Sequence, residues 1–457
     1  MNPSSPTQPD GSPVLANPLT GSPSSAEVDS PGADGTGPVR PARSLLRNFD
    51  YLVLMTAQTI AGIGGSLAIF VLPLVTLAIT GSPVKAGLIG TAGGVASWLL
   101  TLPAGALVDR WNRKWTMIAS VACTLAAYAS VAVAGLLDQV TLGHLAAAAF
   151  VVSSADAFFE PAQNAAIPRV VETTQLPQAM ANDQARGALA GLIGSPLGGA
   201  LLAVGRFFPF IVSAVALAVS WLLLFAIRRP LPAPARTERT HLVADIRQGL
   251  RFVWRQRFIR VVVPMAMLIN LGATGLLLVV NLHLYRVGVA PAAIGVIDTV
   301  AGVCAIAGSV MAGRIMQRLR LGTIVMMVLW AFAIVCIPIP LSDNPFIIGG
   351  LLGLAMLVSP VANAALMSYK MAITPDRLQG RSTSAIMFLV MLMVPVAPAL
   401  GGFLLGHFGH YTAMYAFVVT IVVAAVLGSF AKAIRSVPHS REWAALNPDN
   451  AMEPVAG

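Results

Sequence analysis

The chain has 457 residues, 56% of them hydrophobic and 11% charged, with a mean hydropathy of +0.77 and a formal net charge of +10. A soluble globular domain carries about 25% charged residues, so this composition excludes one and indicates a polytopic membrane protein. The cations lie in short loops between apolar runs of spanning length, which makes membrane topology, not nucleic acid, the source of the net charge.

Residues 1–43 are rich in Pro, Ser, Gly, Thr and Asp without an apolar period, which predicts a disordered tail. This tail lacks the basic start and apolar core of a signal peptide, so it is expected to be retained. From Tyr51 onward the apolar runs have the length a bilayer requires, about 20 residues. Twelve transmembrane helices are predicted, near 51–79, 84–106, 115–137, 141–166, 184–205, 207–227, 261–284, 291–316, 322–341, 346–370, 383–406 and 411–434. Runs containing proline, such as that around Pro73, are expected to kink or end early.

On this scheme 26 of the 29 Lys and Arg fall on one side, and the other keeps Lys85, Arg206 and Arg286. The positive-inside rule then puts both termini in the cytoplasm. Residues 228–260 form an arginine-rich linker, in which Leu242, Ile246, Leu250, Val253 and Trp254 alternate at helical spacing with Arg247, Arg251 and Arg255. That pattern predicts an amphipathic helix on the inner leaflet, serving either to hold the flanking segments together or to sense lipid. A tail follows from 436 to 457.

The chain repeats itself at half length. Pro161-Ala-Gln-Asn164 returns as Pro360-Val-Ala-Asn363, Gly198-Gly199 as Gly401-Gly402, and Gly105-Ala-Leu-Val-Asp109-Arg110 as Gly313-Arg-Ile-Met-Gln317-Arg318, at offsets of 199, 203 and 208. Three matches at nearly one offset predict an all-α fold of two pseudo-symmetric six-helix halves, 44–227 and 261–435.

Gly105 to Lys114 puts Asp109, Arg110, Arg113 and Lys114 in one short loop, which must sit at the water interface. The pattern G-x-x-x-D-R-x-x-R-K resembles the signature between the second and third helices of the major facilitator superfamily. Phe158-Phe159-Glu160-Pro161-Ala162 with Ile167-Pro168, and Gly194-Ser-Pro196-Leu-Gly198-Gly199, make residues 45–435 similar to its drug:proton antiporter branch, which includes macrolide, multidrug and enterobactin exporters. The resemblance implies the facilitator fold, with two halves rocking around a central cavity. It also implies a hinge role at the interface for Gly194, Pro196, Gly198 and Gly199. One departure stands out: the predicted fourth helix has no arginine, so arginine-based coupling does not carry over.

Asp109 is expected to latch onto the start of the eleventh helix, near Ser382, Thr383 and Ser384. A carboxylate at a helix N-terminus gains about 0.3–1 kcal/mol. The alternative is that the loop charges only fix topology, although Gln317 replaces the acid in the second copy. Asp156 and Glu160 share one face of the fourth helix at membrane depth, so Asp156 should hold a proton or face a watery cavity. Alternatively Asp156 hydrogen-bonds Ser153 or Ser154, and Glu160 pairs with Arg169 or Arg186. Asp298 is a further proton-coupling candidate. Gln58, Asn270, Asn281 and Asn363 are cavity candidates or interhelical hydrogen-bonding groups. His283, His407 and His410 are expected as exposed loop histidines. Gly187 and Gly191, Gly194 and Gly198, and Gly402 and Gly406 form small-xxx-small pairs for close helix packing.

Cys123, Cys304 and Cys336 are scattered through apolar segments, so no disulfide framework or metal site is indicated. No Gly-Lys dipeptide exists, which excludes a Walker loop and ATP hydrolysis on this chain. No cofactor and no enzymatic activity are expected. The sequence thus predicts a monomeric secondary active transporter in a bacterial cytoplasmic membrane, whose partners are a small-molecule substrate, protons and the lipid bilayer. Its expected activity is proton-coupled efflux of drugs, siderophores or other amphipathic small molecules. The alternatives are an uptake or facilitative transporter not coupled to protons, and a membrane sensor without transport.

Overall fold

A computed structural model describes residues 45–231, 242–435 and 437. The N-terminal tail of residues 1–43, and the C-terminal tail apart from Val437, lie outside the described residues. Six long helices come first: α1 (Phe49–Thr80), α2 (Pro83–Val108), α3 (Arg113–Leu136), α4 (Leu142–Val170), α5 (Leu176–Val204) and α6 (Phe208–Phe225). Then come the short α7 (Leu242–Arg255) and the second group, α8 (Arg257–Arg286), α9 (Pro291–Arg318), α10 (Leu321–Cys336), α11 (Pro345–Ile373), α12 (Asp376–Met391), α13 (Val396–Phe430) and α14 (Lys432–Arg435). A hydrocarbon environment leaves no water for free backbone groups, so spanning segments must satisfy them as helices.

Side-chain caps set many of the starts. Asn48, Ser82, Asn112, Thr141 and Asn344 each accept a bond from a first-turn N–H. α1 continues through Pro73 to Thr80 and ends at Gly81, whose φ of 64° forms a left-handed cap. Pro73 therefore does not stop the helix. α4 extends to Val170 and takes Arg169 into its last turn. α5 starts at Leu176 instead of the predicted 184, with Pro177 in its first turn, so Asp183 is a helical residue like Arg186, not a loop charge. α8 likewise starts at Arg257, inside the predicted linker.

The predicted eleventh and twelfth spans are arranged differently. The eleventh begins at Asp376 as α12 and breaks at Leu392–Pro395 before α13. α13 is two helices joined at Gly409, whose φ of 81° and ψ of 175° are non-helical. Gly402 lies against Pro83 and Gly87, where α2 begins, while Gly428 lies against Met265 near the start of α8. The chain therefore reverses at Gly409, so that the eleven spanning segments among the described residues, the last of them divided there, make the twelve crossings the sequence predicted.

Call the end carrying α7 the linker end and the opposite one the far end. At the far end the halves meet backbone to backbone. A Cβ at Gly87 would lie 2.3 Å from the Pro398 carbonyl oxygen, one at Gly199 2.2 Å from that of Pro291, and one at Gly295 2.5 Å from that of Ser195. The Thr299 hydroxyl adds a bond across the α5–α9 seam, to the Leu192 carbonyl at 2.7 Å. Further along α2, Trp98 stacks on Phe388 with centroids 5.0 Å apart and donates to the Phe388 carbonyl at 3.1 Å. Gly194, Gly198, Gly402 and Gly406 are close-packing positions, whereas a Cβ at Gly187 or Gly191 meets nothing within 4 Å. The expected packing role of that pair does not hold, because its face of α5 turns toward open space.

Gly87→Val drives a side chain into a fixed carbonyl, so it is expected to destabilise the folded chain by about 1–3 kcal/mol. Gly187→Ala should stay within about 0.5 kcal/mol of wild type. Thermal unfolding of both variants in detergent micelles checks this contrast.

Candidate functional site

Polar side chains from α1, α3, α4 and α5 line a cavity of about 710 Å3 in the N-terminal half. α1 contributes Gln58, α3 contributes Ser120 and Thr124, and α4 presents Asp156, Glu160 and Gln163 on successive turns. From α5 come Asp183 and Arg186. The spacing explains α4: residues 156, 160 and 163 repeat at i+4 and i+7, so one polar stripe faces the cavity on an otherwise apolar helix.

The centre of the site is a hydrogen-bonded ion pair. Arg186 donates from Nε and Nη2 to Asp183 Oδ1 at 3.1 and 2.9 Å, and Gln163 Nε2 donates to the same oxygen at 2.9 Å. Arg186 Nη1 reaches the Gln58 carbonyl at 3.0 Å, tying α5 to α1. Asp183 is buried, so the pair needs these extra bonds to offset the loss of solvation. With Asp183 and Arg186 neutralising each other, Asp156 and Glu160 remain as uncompensated acids on the wall. Both have exposed side chains that open into the cavity, consistent with the expectation of water contact at that depth. The Gln58 amide is the other unusual group: it is buried, and neither its Nε2 nor its Oε1 has a protein partner. A buried amide without partners is costly unless something else satisfies it.

The structure thus gathers Gln58, Asp156 and Glu160 at one site, but not the other candidates. Asp298 lies on α9 beside the α5–α9 seam, between Gly295 and Thr299, which both contact α5. Asn270 donates to the Ala266 carbonyl of its own helix at 2.9 Å. Neither Asn281 nor Asn363 lines this cavity. Asp183 and Arg186 were missed as site residues. Glu160 does not take Arg186, because Asp183 holds it three residues away on the same helix. The Asp183-x-x-Arg186 spacing was the available signal, since i,i+3 pairs of opposite charge meet on a helix.

The charged loop divides its work. Lys114 Nζ donates to the Phe225 and Ile227 carbonyls at 3.0 and 2.7 Å, so it caps the end of α6. Arg113 is buried, and its backbone N–H donates to the Leu231 carbonyl at 3.1 Å. Asp109 is exposed at the end of α2, and no ion pair among the described residues involves it. The expected acceptor is displaced as well: α12 begins at Asp376, so Ser382 to Ser384 lie in its interior and not at its positive end. His283 is not an exposed loop residue. It is buried, donates to Asp343 Oδ1 at 2.8 Å and stacks on His410 with centroids 4.0 Å apart.

Comparison with known proteins places this geometry in context. The family model described as the Major Facilitator Superfamily matches residues 54–289 and 265–448. The multidrug efflux pump Tap of Mycolicibacterium fortuitum is 30% identical over 239 residues, which is 49% of this chain and 56% of that protein. Its namesake in Mycobacterium tuberculosis is 30% identical over 230 residues, 46% and 52% of the two chains. The match thus spans about half the length of these curated relatives. Among solved structures, an inward-facing bacterial homologue of the iron transporter ferroportin covers 85% of this chain and 99% of its own at TM-score 0.67 and 16% identity. An inward-facing, unoccupied bacterial homologue of the lysosomal transporter Spinster covers 86% and 98% at TM-score 0.66 and 16% identity. These two likenesses establish the fold.

Removing one partner of the buried pair should be expensive: Asp183→Asn and Arg186→Gln are each expected to destabilise by about 3–5 kcal/mol. Glu160→Gln, which breaks no pair, should change stability by less than about 0.5 kcal/mol. Unfolding midpoints of the purified variants test this ordering.

Proposed function

Since the chain belongs to the Major Facilitator Superfamily, we propose that it is a monomeric secondary transporter exporting an amphipathic, cationic or protonatable small molecule in exchange for protons. The observation that carries this reading is the pair of uncompensated carboxyls, Asp156 and Glu160, beside the unpartnered Gln58 amide in one cavity. A carboxylate in a low-dielectric cavity attracts either a proton or a cationic group, and the two compete for it. That competition is the requirement for exchange. Gln58 then supplies a donor and an acceptor for a polar part of the cargo.

The drug-pump relatives support export, and the asymmetry of 26 among 29 cations supports a cytoplasmic linker end with both termini inside a bacterial cytoplasmic membrane. The glycine seams close the far end in this conformation, so the cavity loads from the cytoplasm. Release outward requires the halves to rock, parting the α2–α13 and α5–α9 seams and closing the linker end. Asp109 approaches the first turn of α12 in that motion and is stabilised by its dipole. Asp298, beside the α5–α9 seam, is a second place where a proton would bias the two states. Drugs, siderophores and other secondary metabolites are the substrate classes that fit.

In inverted vesicles an imposed pH gradient should drive uptake of a cationic dye by the wild-type chain, and Asp156→Asn should abolish it. A variant that still follows the gradient would overturn the proton assignment. Gln58→Leu should raise the half-saturating dye concentration about two- to tenfold, the equivalent of one hydrogen bond of about 0.5–1.5 kcal/mol, with little change in maximal rate. Asp109→Asn should insert normally and slow turnover, which the same vesicles measure.

A further inference from the structure

A second cavity, of about 740 Å3, runs along the next face of α4. Val151, Ala155 and Phe158 form its α4 wall, and Trp115, Ala119 and Cys123 its α3 wall. Ser120 borders both cavities, so α3 and α4 form the partition between them. Arg110 and Trp111 close the linker end of the groove. α3 packs on α4 and α6, so the groove opens on the flank of the bundle that faces the bilayer. Trp111 and Trp115 are 46% and 58% exposed there.

Three features select an occupant. First, the groove is amphipathic from end to end: Arg110, Asn112 and two indoles sit at the loop, and beyond Thr116 the walls are aliphatic, thiol and phenyl apart from the Ser120 and Ser154 hydroxyls. Tryptophan prefers the headgroup level of a membrane, so this end lies at the interface. Second, Trp115 to Cys123 spans about 12 Å at 1.5 Å per residue, close to one leaflet of a hydrocarbon core about 30 Å thick. Third, the charge is opposite to that of the transport cavity. Arg110 is the one charged residue lining the groove, and no ion pair among the described residues engages it. Its neighbour Asp109 does not line the groove, and Lys114 is committed to the α6 carbonyls. A cationic cargo is repelled by such a mouth, whereas a phosphate is matched by a guanidinium in a two-point bond.

We propose that this groove is a binding site for an anionic phospholipid of the surrounding leaflet, with its phosphate on Arg110 between Trp111 and Trp115 and an acyl chain along Ala119 and Cys123. The site stands independently of the transport reading. It is coupled to α4 all the same: Trp111 stacks on Phe158 with centroids 5.8 Å apart, and the next residue, Phe159, lines the transport cavity.

Cys123 reports occupancy, because it is exposed and lies in the groove. The full chain is reconstituted in nanodiscs of phosphatidylglycerol or of phosphatidylcholine, and modification of Cys123 by a neutral maleimide is timed by peptide mass spectrometry. Labelling should be several-fold slower in phosphatidylglycerol. Arg110→Gln should erase the difference and Arg110→Lys should keep most of it, which separates loss of charge from loss of folding. Equal rates in the two lipids, or a difference that persists in Arg110→Gln, would overturn the proposal. Protection by inorganic phosphate in phosphatidylcholine would overturn it too, since it would mark an anion site that needs no lipid.

Discussion

Backbone contact between the halves at the far end is the constraint on which the rest of this structure depends. In a bilayer, apolar side chains gain little by leaving lipid for one another, so helices are held by close packing and interhelical bonds. Gly87 against Pro398 and Gly199 against Pro291 supply that packing with no side chain between the chains. Carbonyls cannot rotate away as a leucine would, so the seam has no graded, partly open form. Opening it requires a rigid displacement of one half. The contact farther along α2 is of a different kind, an indole that stacks on the Phe388 ring and donates to its carbonyl.

Within the N-terminal half, polar groups divide by whether protein satisfies them. Asp183 accepts three bonds from Arg186 and Gln163, and Arg186 extends the network to the backbone of α1. That network fixes the angle between α1 and α5, and disturbing it would leave a charge stranded. Asp156 and Glu160 are held in place by their helix but left open toward the cavity, and the buried Gln58 amide beside them has no protein partner among the described residues. A satisfied frame around unsatisfied groups is how a preorganised site is built: the frame prevents the open groups from collapsing onto each other. The loop at 109–114 repeats the pattern, with Lys114 spent on the α6 carbonyls and Asp109 exposed, in no ion pair among the described residues.

The fold was legible because the bilayer imposes simple rules on sequence. Spanning length, cation asymmetry and the half-length repeat gave twelve helices and two halves without any knowledge of contacts. What was hidden depends on partners distant in sequence or on polarity that looks like a loop. The stretch from Gln178 to Arg186 reads as hydrophilic, yet it is helix, because Asp183 and Arg186 cancel three residues apart. His283 looked like an exposed histidine because its partners Asp343 and His410 belong to other connections. Gly187 and Gly191 matched a packing motif that a neighbouring helix would have to complete, and none approaches. The start of α12 was placed too late because Arg377 and Arg381 interrupt its apolar pattern. For the site, Asp156 and Glu160 were visible as acids in an apolar run, while the unpartnered state of Gln58 could be seen only with its surroundings.

The two halves share a backbone but not a chemistry, and the difference is systematic. At the offset of 199 that aligns Pro161 with Pro360, the counterparts of Asp156 and Glu160 are Ala355 and Ser359. Gln317 stands where the first copy has Asp109. Both the acids of the cavity and the acid of the charged loop are therefore confined to the N-terminal half. If protonation changes charge on one half only, the other must respond through contact, not through its own titration. The contacts that can carry that response are the α5–α9 and α2–α13 seams. Asp298 sits beside the first of these, between Gly295 and Thr299, which both contact α5. On the proposed reading, charge is sensed mainly in the N-terminal half, motion is expressed at the seams, and Asp298 is where the C-terminal half meets that motion with a titratable group of its own.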